Sequence, residues 1–127
     1  MGRNDWLDTL YDGLTPPRED RGDRPWAYGL LYKEWKKNGA DAVIGLYHEL
    51  RARQPATHVV TEDTLLLAGR RIVKLGASRD GLKLLETYMQ ENPKGRNMRL
   101  CHLGLASAHD KLGHRAEALK YYKLSLE

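Results

Sequence analysis

Phenylalanine is absent from this 127-residue chain, so its bulky packing must come from leucine, tyrosine and tryptophan. The single cysteine, Cys101, excludes an intramolecular disulfide framework and fits a reducing compartment. No stretch approaches the roughly 20 apolar residues that cross a bilayer, and no signal-peptide core follows the N-terminus. The expected location is therefore cytoplasmic. Met1-Gly2 does not begin a myristoylation signal, because Trp6 stands where Ser or Thr is required. The chain opens abruptly and ends on helix-forming residues without a stop signal. It is expected to be a piece of a longer parent, and a membrane would be reached only through a parent segment outside it.

Recognisable catalytic machinery is scarce too. There is no glycine-rich phosphate loop followed by Lys-Ser/Thr, and no serine in a Gly-x-Ser-x-Gly elbow. His48-Glu49 opens like the zinc-protease helix motif, but the second histidine that motif needs is Ala52. Cys101 and His102 are adjacent, so on a helix they face apart and chelate poorly together. Carboxylates are scattered, with no convergent pair. The expectation is a protein that is not an enzyme and carries no cofactor or metal.

What the chain does have is a repeat. Leu105, Ala106 and His109, at spacing i, i+1, i+4, share one helix face, as do Ala118, Tyr122 and Ser125 at i, i+4, i+7. Gly113 between them suits the left-handed residue that ends one helix and turns the chain back. Ala106 and Ala118 let two such helices approach, with Tyr122 expected to fill the space beside them. Lys111-Leu112-Gly113 is preceded by Lys74-Leu75-Gly76 and Lys37-Asn38-Gly39 at a constant interval of 37 residues. The flanks recur as well: Ala68, Gly69 and Ile72 before the second glycine, with Gly81, Leu85 and Tyr88 after it. In the first unit Leu31, Tyr32 and Trp35 precede, and Val43, Tyr47 and Leu50 follow with one residue fewer in the turn. Pro55 and Pro93 close the first two units.

This pattern resembles the tetratricopeptide repeat, whose unit is about 34 residues. The longer period here implies an extra turn or connector per unit, expected at His58-Val59-Val60-Thr61 and Arg96-Asn97-Met98. Tyr32 and Val43 are larger than the small residues usual in the family, so the first hairpin is expected to be splayed or repacked. The resemblance implies an all-α fold, a right-handed α-solenoid of three antiparallel helical hairpins over residues 26–127. Helices are expected over residues 25–37 and 41–53, 61–75 and 79–91, and 97–112 and 115–126, with Thr61 or Asp63 as a cap. His109 takes a packing position as a half-buried imidazole rather than a base.

The family's role implies a non-catalytic scaffold that binds a protein or peptide along the concave face lined by the first helix of each hairpin. One branch grips C-terminal carboxylates of chaperone tails. Its clamp positions fall here on Gly29 and Lys33, Leu67, and Leu100 and Gly104, and only Lys33 carries a matching charge, where Asn is expected. A chaperone-tail clamp is thus not implied. In the resemblance Lys37, Lys74 and Lys111 point into the groove, with Lys33, Lys36 and Arg70 about one turn earlier or alongside. Together these make a basic ladder for an acidic or C-terminal segment, although lysines near helix C-termini also compensate the helix dipole.

Charge is uneven within the net +4. Residues 1–25 hold four arginines against six acids, whereas residues 94–127 hold seven basic against three acidic residues. A mild basic excess of this kind suits acidic peptides or a membrane surface and only weakly suggests nucleic acid. Residues 1–25 read as an N-terminal arm: Asn4–Tyr11 as one short amphipathic helix bearing Trp6, Leu7 and Leu10, then a Pro- and charge-rich linker from Thr15 to Pro25. The Arg21-Gly22-Asp23 tripeptide in it is read as chance. The last helix carries more apolar surface than one neighbour covers. Tyr121, Leu124 and Leu126 therefore nominate it for self-association or capping, and the alternative role is a self-association or regulatory module of a larger, membrane-anchored parent.

Overall fold

A computed structural model describes residues 26–53 and 60–127. The arm, its linker and the segment 54–59 lie outside the described residues, and with them the readings of Asn4–Tyr11, Arg21-Gly22-Asp23 and most of the first connector. Within the described residues the chain is all-helical, with six helices and no strand. These are α1 (Trp26–Asn38), α2 (Ala40–Arg53), α3 (Asp63–Lys74), α4 (Ser78–Glu91), α5 (Met98–Lys111) and α6 (Arg115–Ser125).

The three glycines of the 37-residue period all stop a helix. Gly39, Gly76 and Gly113 have φ of 87°, 98° and 83°, a backbone state that costs a residue with a Cβ far more than glycine. At two of them the neighbouring amides close the helix end. Ala77 N–H donates to Ile72 C=O and Gly76 N–H to Val73 C=O, and His114 and Gly113 repeat the pattern on His109 and Asp110. This six-to-one and five-to-two pairing satisfies carbonyls the helix itself leaves open. Asn92 ends α4 differently, turning both its backbone and side-chain N–H onto Tyr88 C=O ahead of Pro93. The expected cap at Thr61 or Asp63 is not formed. Glu62 occupies the N-cap without a side-chain bond, and Asp63 lies in the first turn of α3. There a carboxylate still complements the helix dipole.

Each glycine turn packs its two helices together: α1 on α2, α3 on α4, α5 on α6. Small residues set the closest crossing. A Cβ on Gly81 would collide with Val73 Cγ2 and lie 2.9 Å from both Gly69 O and Val73 N. Around this contact Leu65, Leu66, Ile72, Leu84, Leu85, Tyr88 and Leu105 are fully enclosed. Burial of each such leucine contributes about 1.5–3 kcal/mol.

The junctions between pairs differ. α4 lies broadly against α5, whereas α2 barely meets α3 and reaches α4 instead. The first pair is accordingly set on the second through α1–α3 and α2–α4, and tied by a 2.8 Å bond from Trp35 Nε1–H to Asp80 Oδ2 in the first turn of α4.

Tyr122 does not fill the space beside Ala106 and Ala118, contrary to expectation. The inward line of α6 is Ala118, Tyr121 and Ser125, and the Tyr121 ring stacks on His109 at 5.7 Å and 7°. Tyr122, one residue on and about 100° round the helix, faces outward. His109 is half-buried, and its Nδ1 meets His114 Nδ1 at 3.1 Å.

Candidate functional site

The two sides of the helical pairs carry charge in different ways. Between α2 and α4, Asp41 pairs with Lys83, and His48 Nε2 lies 2.7 Å from Glu91 Oε2. On α3, by contrast, Arg70 and Lys74 have no acidic partner among the described residues. They sit four residues apart on one helix face, and a hollow of about 140 Å³ opens beside them between α3 and α5. Its lining is Arg70, Val73 and Lys74 from one helix and Leu103, Gly104 and Ser107 from the other.

Gly104 shapes this hollow. A Cβ there would come within 2.8 Å of Leu85 Cδ1 and 3.2 Å of Arg70 Cγ. Its absence lets α5 settle on Leu85 while leaving room for the aliphatic stem of Arg70, which is half-buried. The guanidinium thus approaches the hollow on a stem held by packing, a lower entropic cost than for a freely solvated arginine. Val73 and Leu103 give it apolar walls, and Ser107 adds a hydroxyl that can donate or accept.

The other cations nominated from sequence fall elsewhere. Lys33 and Lys37 are exposed on α1 and line neither hollow described here. Lys36 places its ammonium 5.2 Å from the centre of the Tyr32 ring. Lys111 reaches back to the preceding pair, where its ammonium donates to Val73 C=O at 3.0 Å. It also borders a larger opening of about 420 Å³ at the turns, formed with Gly76, Ala77, Ser78, Arg79, Asp80 and Leu112. Of the six nominated cations, the structure gathers Arg70 and Lys74 at one hollow and puts Lys111 to work at a helix end. Sequence reasoning passed over Ser107, although it stands one 37-residue period after Arg70, and weighed Gly104 only as a failed clamp position.

On α6, Tyr121 and Leu124 are half-buried and Leu126 is 83% exposed. Leu119 and Tyr122 join Leu126 on the outside. Among the described residues no group of three or more His, Cys, Asp or Glu side chains is placed to hold a metal ion. Nor is any helix there long and apolar enough to cross a membrane. Burial pushes the Cys101 thiol up to about 12, and its Sγ lies 3.4 Å from Leu85 C=O.

No family model matches the chain, and no curated protein or solved structure matches it either.

Proposed function

We propose that the chain is a non-catalytic binding module, and that an acidic stretch of another protein seats its carboxylates between α3 and α5. The observation that carries this reading is the pair of cations Arg70 and Lys74, without an acidic partner among the described residues, beside the apolar-walled hollow they share with Gly104 and Ser107. Its volume of about 140 Å³ decides the class of ligand. Small-molecule and cofactor pockets run to about 300–1,000 Å³, so this space suits a single side chain or a chain terminus. A carboxylate held by a guanidinium and an ammonium gains charge-assisted hydrogen bonds.

The same reading takes the three helix pairs as a tetratricopeptide-like, right-handed solenoid, with α1, α3 and α5 forming its concave wall. The 37-residue spacing of Gly39, Gly76 and Gly113, their positive φ, and the contacts of α1 with α3 and α3 with α5 support it. In that frame Lys33 and Lys37 extend the basic wall from the first pair. The module works in the cytoplasm, on a protein partner and not on nucleic acid.

The double variant Arg70→Glu/Lys74→Glu tests the site. Captured acidic partners should be lost from it while the helical signal and melting stay those of the parent. Binding by the parent should weaken steeply as ionic strength rises past the physiological range, where charges beyond about 8 Å are screened. Retention of the same partners by the double variant would overturn the proposal. Lys111 is left unchanged in that test because its amine also closes the end of α3.

A further inference from the structure

The second and third helix pairs share a register, but only one of them is covered on its outer side. In the second pair Leu82, Leu85 and Met89 run along α4, which packs on α5; Leu85 is fully buried and the other two are partly buried against the core. Gly104 sits against Leu85, which is 0% exposed, and Cys101 Sγ reaches Leu85 C=O. One period of 37 residues later the same positions are Leu119 and Tyr122 on α6 and Leu126 at its C-cap. They are 56%, 39% and 83% exposed. Three large apolar side chains at i, i+3 and i+7 form a continuous stripe down one helix face, and clustered apolar exposure marks an interaction site where single exposed leucines do not.

What fits there follows from what fits on α4. The covering surface of α5 is Cys101, Gly104, Leu105 and Ala108, all buried, at i, i+3, i+4 and i+7. The glycine admits the bulky side chain beneath it, and the flanking residues close the contact one turn away on either side. We infer that the outer face of α6 is a docking site for an amphipathic helix from another protein, presenting glycine or alanine over Tyr122 with apolar residues a turn to each side. Lys123 borders the stripe and is exposed, while the Lys120 ammonium lies 5.5 Å from the centre of the Tyr121 ring, so an acidic residue beside the small one, facing Lys123, completes the match.

A second copy of this chain does not supply that helix. In α1 the residues in register with Cys101 and Gly104 are Ala27 and Leu30, and they are already 2% and 7% exposed. Head-to-tail stacking is therefore blocked at the head. Tail-to-tail pairing would oppose two Tyr122 rings, where α4 and α5 oppose leucine to glycine.

The test uses the full chain and a helix-stapled peptide of residues 98–111, since an unstapled segment of that length is only marginally helical in water. Fluorescence anisotropy under reducing conditions should show saturable binding with a Kd below about 100 μM. Gly104→Leu in the peptide should weaken it by about tenfold or more, and Leu119→Glu/Tyr122→Glu in the protein should abolish it. Tyr122→Ala, a milder change on an exposed side chain, should weaken binding without altering the melt. Indifference of binding to the peptide's Gly104→Leu change, or no saturation by 1 mM peptide, on the order of the weakest specific affinities, would overturn the inference. So would a free chain that dimerises with concentration and becomes monomeric on Leu119→Glu, which would make a second copy the occupant.

Discussion

Polar contacts bridge α2 and α4, whereas Arg70 and Lys74, between α3 and α5, have no acidic partner among the described residues. Asp41 with Lys83 and His48 with Glu91 bridge the first and second helix pairs on one side. Arg70 and Lys74 line a hollow on the other, with no acidic partner among the described residues. Exposed ion pairs contribute only about 0–1 kcal/mol each, so the paired side gains little stability from its charges. Leaving cations unpaired on the other side costs correspondingly little and keeps them available. The difference concerns what each side can bind.

Both sides hang on the crossing at Gly81, which makes its substitution the largest expected effect. Gly81→Val should destabilise the fold by about 3 kcal/mol, since overpacking costs about 1–3 kcal/mol and here the backbone of α3 must also move. Helix propensity alone would favour a residue with a Cβ over glycine by up to about 1 kcal/mol. A rise in the urea midpoint would show that the helices do not cross as closely as described.

Alkaline pH should come next. The folded Cys101 thiol is held up to about 12 against an ordinary 9, and burial likewise raises Tyr47, Tyr88 and Tyr121 above 10. The unfolded chain therefore releases these protons first. Stability should be fully present below pH 9 and fall progressively as pH rises from there towards 12. Urea midpoints at pH 8 and pH 10.5 measure it, and Cys101→Ala should remove the earliest part of the fall.

Two lysines of the same register sharpen the contrast. Lys111→Ala removes a donor from Val73 C=O and should cost about 0.5–1 kcal/mol, a modest figure because the amine is solvent-accessible. Lys74→Ala should leave stability within about 0.5 kcal/mol, the range for surface changes away from specific contacts. Smallest of all is Asp41→Asn, which loosens the exposed pair with Lys83 by at most about 0.5 kcal/mol. Equal melting of Lys111→Ala and Lys74→Ala would remove the structural distinction between them.

Much of this organisation is legible in the sequence. The helix ends follow from glycines whose 37-residue spacing needs only a left-handed residue at each turn, and the close crossing follows from Gly69 and Gly81. The α6 face was misread because Ala118 and Ser125 fit two inward lines equally well, through Tyr121 or Tyr122. Only the stacking of Tyr121 on His109 across the pair selects between them. The hollow was half visible: Arg70 and Lys74 stand out as a basic i, i+4 pair, but the hole beside them depends on how far α5 sinks onto Leu85 at Gly104. The reach of Lys111 to Val73 and the bond from Trp35 to Asp80 join residues 38 and 45 positions apart, which no local periodicity encodes.

Carboxylate binding at Arg70, Lys74 and the hollow beside them is what the proposed function requires. Amide chemical-shift mapping with a short polyglutamate peptide tests it most directly, at about 50 mM salt and again at about 500 mM, where the Debye length falls well below 10 Å. Shifts should concentrate at Arg70, Lys74, Gly104 and Ser107, collapse at high salt and be absent from Arg70→Glu/Lys74→Glu. Shifts that gather along α2 and α4, or that survive in the double variant, would contradict it.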